Sequence, residues 1–197
     1  MQEFFFRGIY QQIALVEAVE KTKSRRNKWQ SLITFIKTKF MNTNIGISET
    51  NSRAVAEILF VILADEYVLY TKTRNAHWNV EGIDFYAKHT FFESQFGQLD
   101  EFIDEVAERI RSLGHYSPAT LKSFLSLTRL TEQLVNNNSS EGFLRELLSD
   151  HESIIIKLRE NINHIANDLQ DSGTSDFITG LMEKHEKMAW FIRAHLK

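Results

Sequence analysis

The 197-residue sequence contains no cysteine. That excludes structural disulfides, thiolate nucleophiles and cysteine-ligated zinc, and it fits a reducing, cytoplasmic setting. There is one proline, Pro118, and only eight glycines. With breakers so few, the abundance of Leu, Ile, Glu and Lys points to helices. No apolar run approaches the length of a membrane span, so none is expected. Several catalytic signatures are also missing: a Walker loop, a GxGxxG turn, a GxSxG elbow and a zinc-binding HExxH. The residues three before each histidine are Arg74, Tyr86, Ser112, Leu148, Asn161, Met182 and Ile192. None is glutamate, so the Glu-x-x-His pairs that build a two-metal site inside one four-helix bundle are absent.

What is present suits a globular helical protein, 43% hydrophobic and 25% charged. Its charge is uneven. Residues 1–40 carry 8 Lys and Arg against 3 Glu, a net of +5, and the remainder carry 15 against 23, a net of −8, which together give the chain's −3. The acidic part favours divalent cations and disfavours the DNA backbone. Residues 1–40 read as a separate basic, amphipathic extension, with FFF at Phe4, KTKSRRNK from Lys21, and Trp29, Leu32, Ile33, Ile36 and Phe40 at helical spacing. The plainest reading of this segment is translation upstream of a native start at Met41. Its functional reading is a basic arm for DNA or an anionic membrane surface.

Residues 41–197 read as one all-α domain, an up-and-down bundle of four long helices. Ser48, Thr50 and Asn51 are candidate caps for a first helix over about 52–79, whose stripe runs Val55, Ile58, Leu59, Ile62, Leu63, Tyr67 and Tyr70. A second helix is expected over about 84–113. Its stripe is Phe85, Phe92, Phe96, Leu99, Ile103, Val106 and Ile110, and Gly114 is its C-terminal stop. Residues 116–138 are too long for a simple turn, and Pro118, Leu121, Phe124, Leu125 and Leu127 point to a short extra helix within them. Asn136-Asn137-Asn138-Ser139 makes the turn into a third helix over about 140–170. A fourth follows over about 174–195.

The chemistry concentrates in residues 74–111, which hold His77, His89, Glu93, Asp104 and Glu108. Two imidazoles and three carboxylates suit divalent iron or zinc. His89 and Glu93 are four apart, as are Asp104 and Glu108, so each pair shares a helix face. From Glu93 to Asp104 is close to three whole turns, which keeps the pairs on nearly one face but separates them by roughly 16 Å of helix. On a continuous helix they cannot share an ion within one chain. Gly82 breaks the pattern after His77, so two antiparallel helices can bring His77 to His89 and Glu93. One way to complete the set is a two-fold axis that places Asp104 and Glu108 of one chain against His77, His89 and Glu93 of another. The plain alternative is a solvated helix face with ordinary charges. The remaining histidines, His115, His151, His164, His185 and His195, have no matching ligand partners and read as surface or packing residues.

The run HWNVEG, His89 with Glu93 after it, then IDEVAERIRSLG, together with the preceding LADEYVLYTKTRNAHWN, resembles the Dps family, the mini-ferritins named for the DNA-binding protein from starved cells. The likeness covers roughly residues 44–196, and the whole H-x11-H-x3-E-x10-D-x3-E series is intact. The resemblance implies a ferritin-like bundle with a small helix in its middle connection, assembled as a hollow dodecamer. It implies a di-iron ferroxidase centre at a two-fold interface, with His77, His89 and Glu93 from one subunit and Asp104 and Glu108 from its neighbour. Fe²⁺ would be oxidised by hydrogen peroxide, or more slowly dioxygen, and stored as ferric mineral, protecting DNA. Asp176 matches a position lining an acidic three-fold pore, with Asp168 and Asp171 nearby, and Trp78 would lie beside the iron site. Family members that bind DNA often use a lysine-rich arm where residues 41–51 carry no Lys or Arg. A non-enzymatic DNA-compacting protein, relying on residues 1–40, is the competing expectation.

Overall fold

The computed structural model describes residues 43–132 and 138–197. The expectations for residues 1–40, and the Asn136-Asn137 part of the turn, lie outside the described residues. The elements in chain order are α1 (Glu49–Asn79), α2 (Phe85–Ser112), the short α3 (Leu121–Leu127), α4 (Ser140–Asn163), a π-helical turn (His164–Asp168) and α5 (Ser172–Ala194). The described residues are all-helical apart from an isolated bridge between Glu81 and Ser139. This is the four-helix bundle that the sequence pattern predicts, with the extra helix in the long middle connection.

Local chemistry fixes the ends. Ser48 caps α1, accepting from the Asn51 N–H at 3.1 Å, so this helix starts three residues earlier than its apolar stripe indicates. Gly114 has φ +92°, follows the cap residue Leu113, and closes α2. The His115 N–H reaches the Ile110 carbonyl and the Gly114 N–H reaches that of Arg111, the paired bonds of a Schellman end. The expected third helix reaches only Asn163 as α-helix. Its last turn widens, and the chain reverses through Gln170 at φ +57°. Asp171 then caps α5, accepting from the Thr174 N–H at 2.9 Å.

The core lies between the long helices. Val55, Leu59 and Leu63 of α1 meet Phe92, Leu99, Val106 and Ile110 of α2, Leu144, Ile154 and Leu158 of α4, and Ile178, Leu181 and Ile192 of α5. Each such side chain contributes about 1.5–3 kcal/mol on burial. In α2 the buried line runs Phe92, Gln95, Leu99, Phe102, Val106, Ile110. It is turned slightly from the expected stripe. Phe96 and Ile103 therefore sit at its edge, and Phe85, in the uncovered first turn, is exposed.

The connections position the ligand stretch. Residues 80–84 turn α1 into α2, and the end of the long connection lies beside them. Glu81 N–H donates to the Asn138 carbonyl at 3.0 Å and the Ser140 hydroxyl to Asp84 at 2.8 Å. That hydroxyl is the main influence holding the Asp84 carboxyl below its ordinary value.

Candidate metal-ligand face

His77 is in the last turn of α1 and His89 in the second turn of α2, so the tight turn between the helices brings them together. Their rings stack with centroids 3.8 Å apart and planes at 23°. Each ring is held by the other's backbone. His77 Nδ1 donates to the His89 carbonyl at 2.9 Å, and His89 Nδ1 donates to the His77 carbonyl at 2.8 Å. A carbonyl only accepts, so both Nδ1 atoms carry hydrogen. In the neutral rings both Nε2 atoms therefore present lone pairs. A second nitrogen fixed by a carbonyl is the arrangement that metal-ligating histidines use. Phe96 walls His77 edge-on at 5.2 Å, and Phe85 lies against His89 at 5.2 Å.

Glu93 lies one turn beyond His89 and is exposed, as are Asp104 and Glu108 further along α2. Among the described residues no hydrogen bond or ion pair engages these three carboxylates, whereas Glu105, beside Asp104, is taken by Lys184 at 2.7 Å. Asp100 and Glu101 are exposed too, so exposure alone does not single out the motif positions. What does is the spacing on a helix that is continuous from Phe85 to Ser112. Glu93 and Asp104 are thereby held roughly 16 Å apart along the axis. Accordingly, no group of three His, Asp or Glu side chains among the described residues is placed to hold a metal ion within one chain.

The other candidates divide. Asp171 is buried and committed to structure. It caps α5, receives the Thr174 hydroxyl at 2.5 Å and pairs with Arg109 at 3.2 Å. Asp176 is exposed, and Asp168 is exposed with His164 Nδ1 at 2.7 Å. Trp78 is 62% exposed beside His77 and lies under the Arg74 guanidinium at 5.0 Å, which also covers Phe96 at 4.6 Å and donates to the Tyr70 hydroxyl at 2.8 Å. The mutual ring-to-carbonyl lock was not legible from residue types. Phe96 was, because it lies seven residues after His89 and so on nearly the same face.

Comparison with known proteins agrees with the fold. Residues 56–197 match the model of the ferritin-like domain. The chain is 39% identical over 154 residues to an uncharacterized low temperature-induced protein of Nostoc sp., covering 78% of this chain and 86% of that one. It is 34% identical to DNA protection during starvation protein 2 of Bacillus anthracis, over 74% of this chain and 98% of the relative. Among solved structures it resembles a Dps protein from Vibrio cholerae O1, a member of a broad superfamily of ferritin-like diiron-carboxylate proteins, with a TM-score of 0.74 and 29% identity over 80% of this chain and 98% of that one. With fold, motif and relatives in accord, the chain belongs to the ferritin-like family, in its Dps branch.

Proposed function

We propose that the protein is an iron-storage and detoxification ferroxidase whose site is shared by two subunits. The observation that carries this reading is the His77–His89 lock. It fixes Nδ1 of two stacked imidazoles at one end of α2 and leaves both Nε2 atoms without a backbone partner, while the matching carboxylates, Asp104 and Glu108, stand beyond reach at the other. A two-fold axis joins the halves into two equivalent sites, as part of a homo-oligomeric shell, the dodecamer of the Dps family. His77, His89 and Glu93 come from one subunit and Asp104 and Glu108 from its mate.

Iron is the substrate. Carboxylates and neutral imidazoles bind Fe²⁺, and the carboxylate charge favours the ferric state. Two ferrous ions give up two electrons to one hydrogen peroxide. Its O–O bond breaks, the oxygens pass with water into ferric oxyhydroxide, and four protons are released. Dioxygen is the slower oxidant. Exposed Asp168 and Asp176 are candidates for an entry pore, and Asp171 supports them as a cap. This chemistry removes the reagents of hydroxyl-radical formation in the cytoplasm and so protects DNA. The test is Fe²⁺ with peroxide, followed by ferric absorbance. The Asp104→Ala, Glu108→Ala double variant should lose more than about 100-fold in rate, beyond the loss typical of outer-shell changes. Oxidation at the normal rate would defeat the assignment.

A second reading, DNA compaction through residues 1–40, rests on their net charge of +5 against the acidic remainder. A salt-dependent gel shift that disappears on deleting 1–40 would favour it.

A further inference from the structure

The bundle interior holds a second set of imidazoles that the ligand face does not use. Glu66 of α1, His185 of α5 and His151 of α4 are 0%, 0% and 1% exposed. His185 Nε2 lies 2.8 Å from Glu66 Oε1, and His185 Nδ1 lies 2.9 Å from His151 Nδ1. One line of hydrogen bonds thus joins three helices. From the fourth, α2, the Phe102 ring lies 5.4 Å from that of His185. The neighbouring charges face elsewhere. Asp150 and Glu146 of α4 hold Lys72 of α1, Asp65 of α1 holds Arg129, and Lys184 of α5 holds Glu105 at the surface. At 2.9 Å the two Nδ1 atoms are at hydrogen-bond distance, so one hydrogen lies between them.

Counting protons gives two states with the same contacts. Nitrogens bonded to each other need one hydrogen between them. In the first state His151 Nδ1–H donates to a bare His185 Nδ1, and His185 Nε2–H donates to ionised Glu66. The set then carries one negative charge. In the second, His185 is an imidazolium that donates through both nitrogens, to His151 Nδ1 and to Glu66. His151 is then neutral with its hydrogen on Nε2, and the set carries no net charge. The proton that converts one state to the other adds at His151 Nε2, while the Nδ1 hydrogen passes to His185. Glu66 Oε2 is buried with no hydrogen-bond partner among the described residues, so His185 Nε2–H alone donates to that carboxylate in the first state. We propose that Glu66, His185 and His151 form a one-proton binding site in the bundle core, switching between these two states while α1, α4 and α5 stay joined. Burial first, and then the charge on His185, hold the His151 ring well below its ordinary value.

The test is ¹⁵N-histidine magnetic resonance on the assembled, sedimented protein between about pH 4 and 9, the span over which imidazoles titrate. One ring should gain its second hydrogen over the same pH range in which another moves its hydrogen from Nδ1 to Nε2. Signals absent from His151→Asn assign the second ring. Glu66→Gln keeps an acceptor for His185 without the charge and should move this joint transition about 1–3 pH units to the acid side. Rings that keep one tautomer throughout the folded range would overturn the proposal, and so would an unshifted transition in Glu66→Gln. The wild-type titration decides the matter even if a variant does not fold.

Discussion

Two clusters of histidine and carboxylate are carried by the same four helices, and they are built to opposite ends. At the α1–α2 turn, His77 and His89 satisfy their Nδ1 atoms on backbone carbonyls, with Glu93 exposed one turn on and Asp104 and Glu108 exposed at the far end of α2. In the core, Glu66, His185 and His151 satisfy one another and are closed to solvent. The residue types are the same, but one cluster is completed within the chain and the other, in the function proposed above, is completed by a second subunit. His77 is buried in one cluster as the core histidines are in the other, so the carboxylates make the difference: Glu66 is buried, and Glu93, Asp104 and Glu108 are exposed. A buried polar group must find its partner inside the fold, whereas an exposed one can wait for another subunit.

The sharpest way to break this contrast is to mix halves. Asp104→Ala and His77→Ala proteins should each lose more than about 100-fold in Fe²⁺ oxidation. Dissociated and reassembled together at equal amounts, half of the pairs are hybrids with one intact site of two. The mixture should recover about a quarter of the native rate, as two-fold pairing requires. No recovery in properly reassembled particles would show that the site is not shared. The core cluster should respond in stability instead. Glu66→Leu strands the His185 donor and should cost about 1–3 kcal/mol in denaturant unfolding, while replacing all three residues by leucine should return stability to within about 1 kcal/mol. Iron oxidation by folded Glu66→Leu protein should stay near normal, and a large loss there would join the clusters functionally.

The smallest expected effect is on pH dependence. His151 is depressed by burial, so below its unfolded value of about 6.5 the unfolded chain binds a proton that the folded ring refuses. This contribution is fully present above that pH and is lost as pH falls toward the folded value. The slope is about 1.4 kcal/mol per pH unit for one proton. Urea midpoints measured from neutral pH downward should show this slope in the native protein and a shallower one in His151→Phe.

Much of this was readable from spacing. The helix order, the short helix around Phe124 and the two-ended ligand motif on α2 follow from periodicity and from the rise of a helix. The core cluster also left a trace. Glu66 falls three residues from both Leu63 and Leu69, His151 between Leu147 and Ile154, and His185 between Leu181 and Met188. Each is therefore a polar residue in a core register, but which three would meet depends on how separate helices pack. Phe85 went the other way. It has the right angle for the core but lies in a first turn with little beyond the His89 ring against it. The widened turn at His164–Asp168 follows no residue pattern in the sequence that we can identify.

The crossed bonds between His77 and His89 have a last consequence. Because each ring rests on the main chain of the opposite helix, the bite of the nitrogens is set when the hairpin folds, before any ion arrives. In the shared site proposed above, an incoming cation would lose little to ordering at that end, and discrimination among cations would pass to the acidic side chains lent by the neighbouring molecule. Affinity would then be a property of the particle rather than of the polypeptide, and a loosened shell would let go of its cargo without a single ligand being altered.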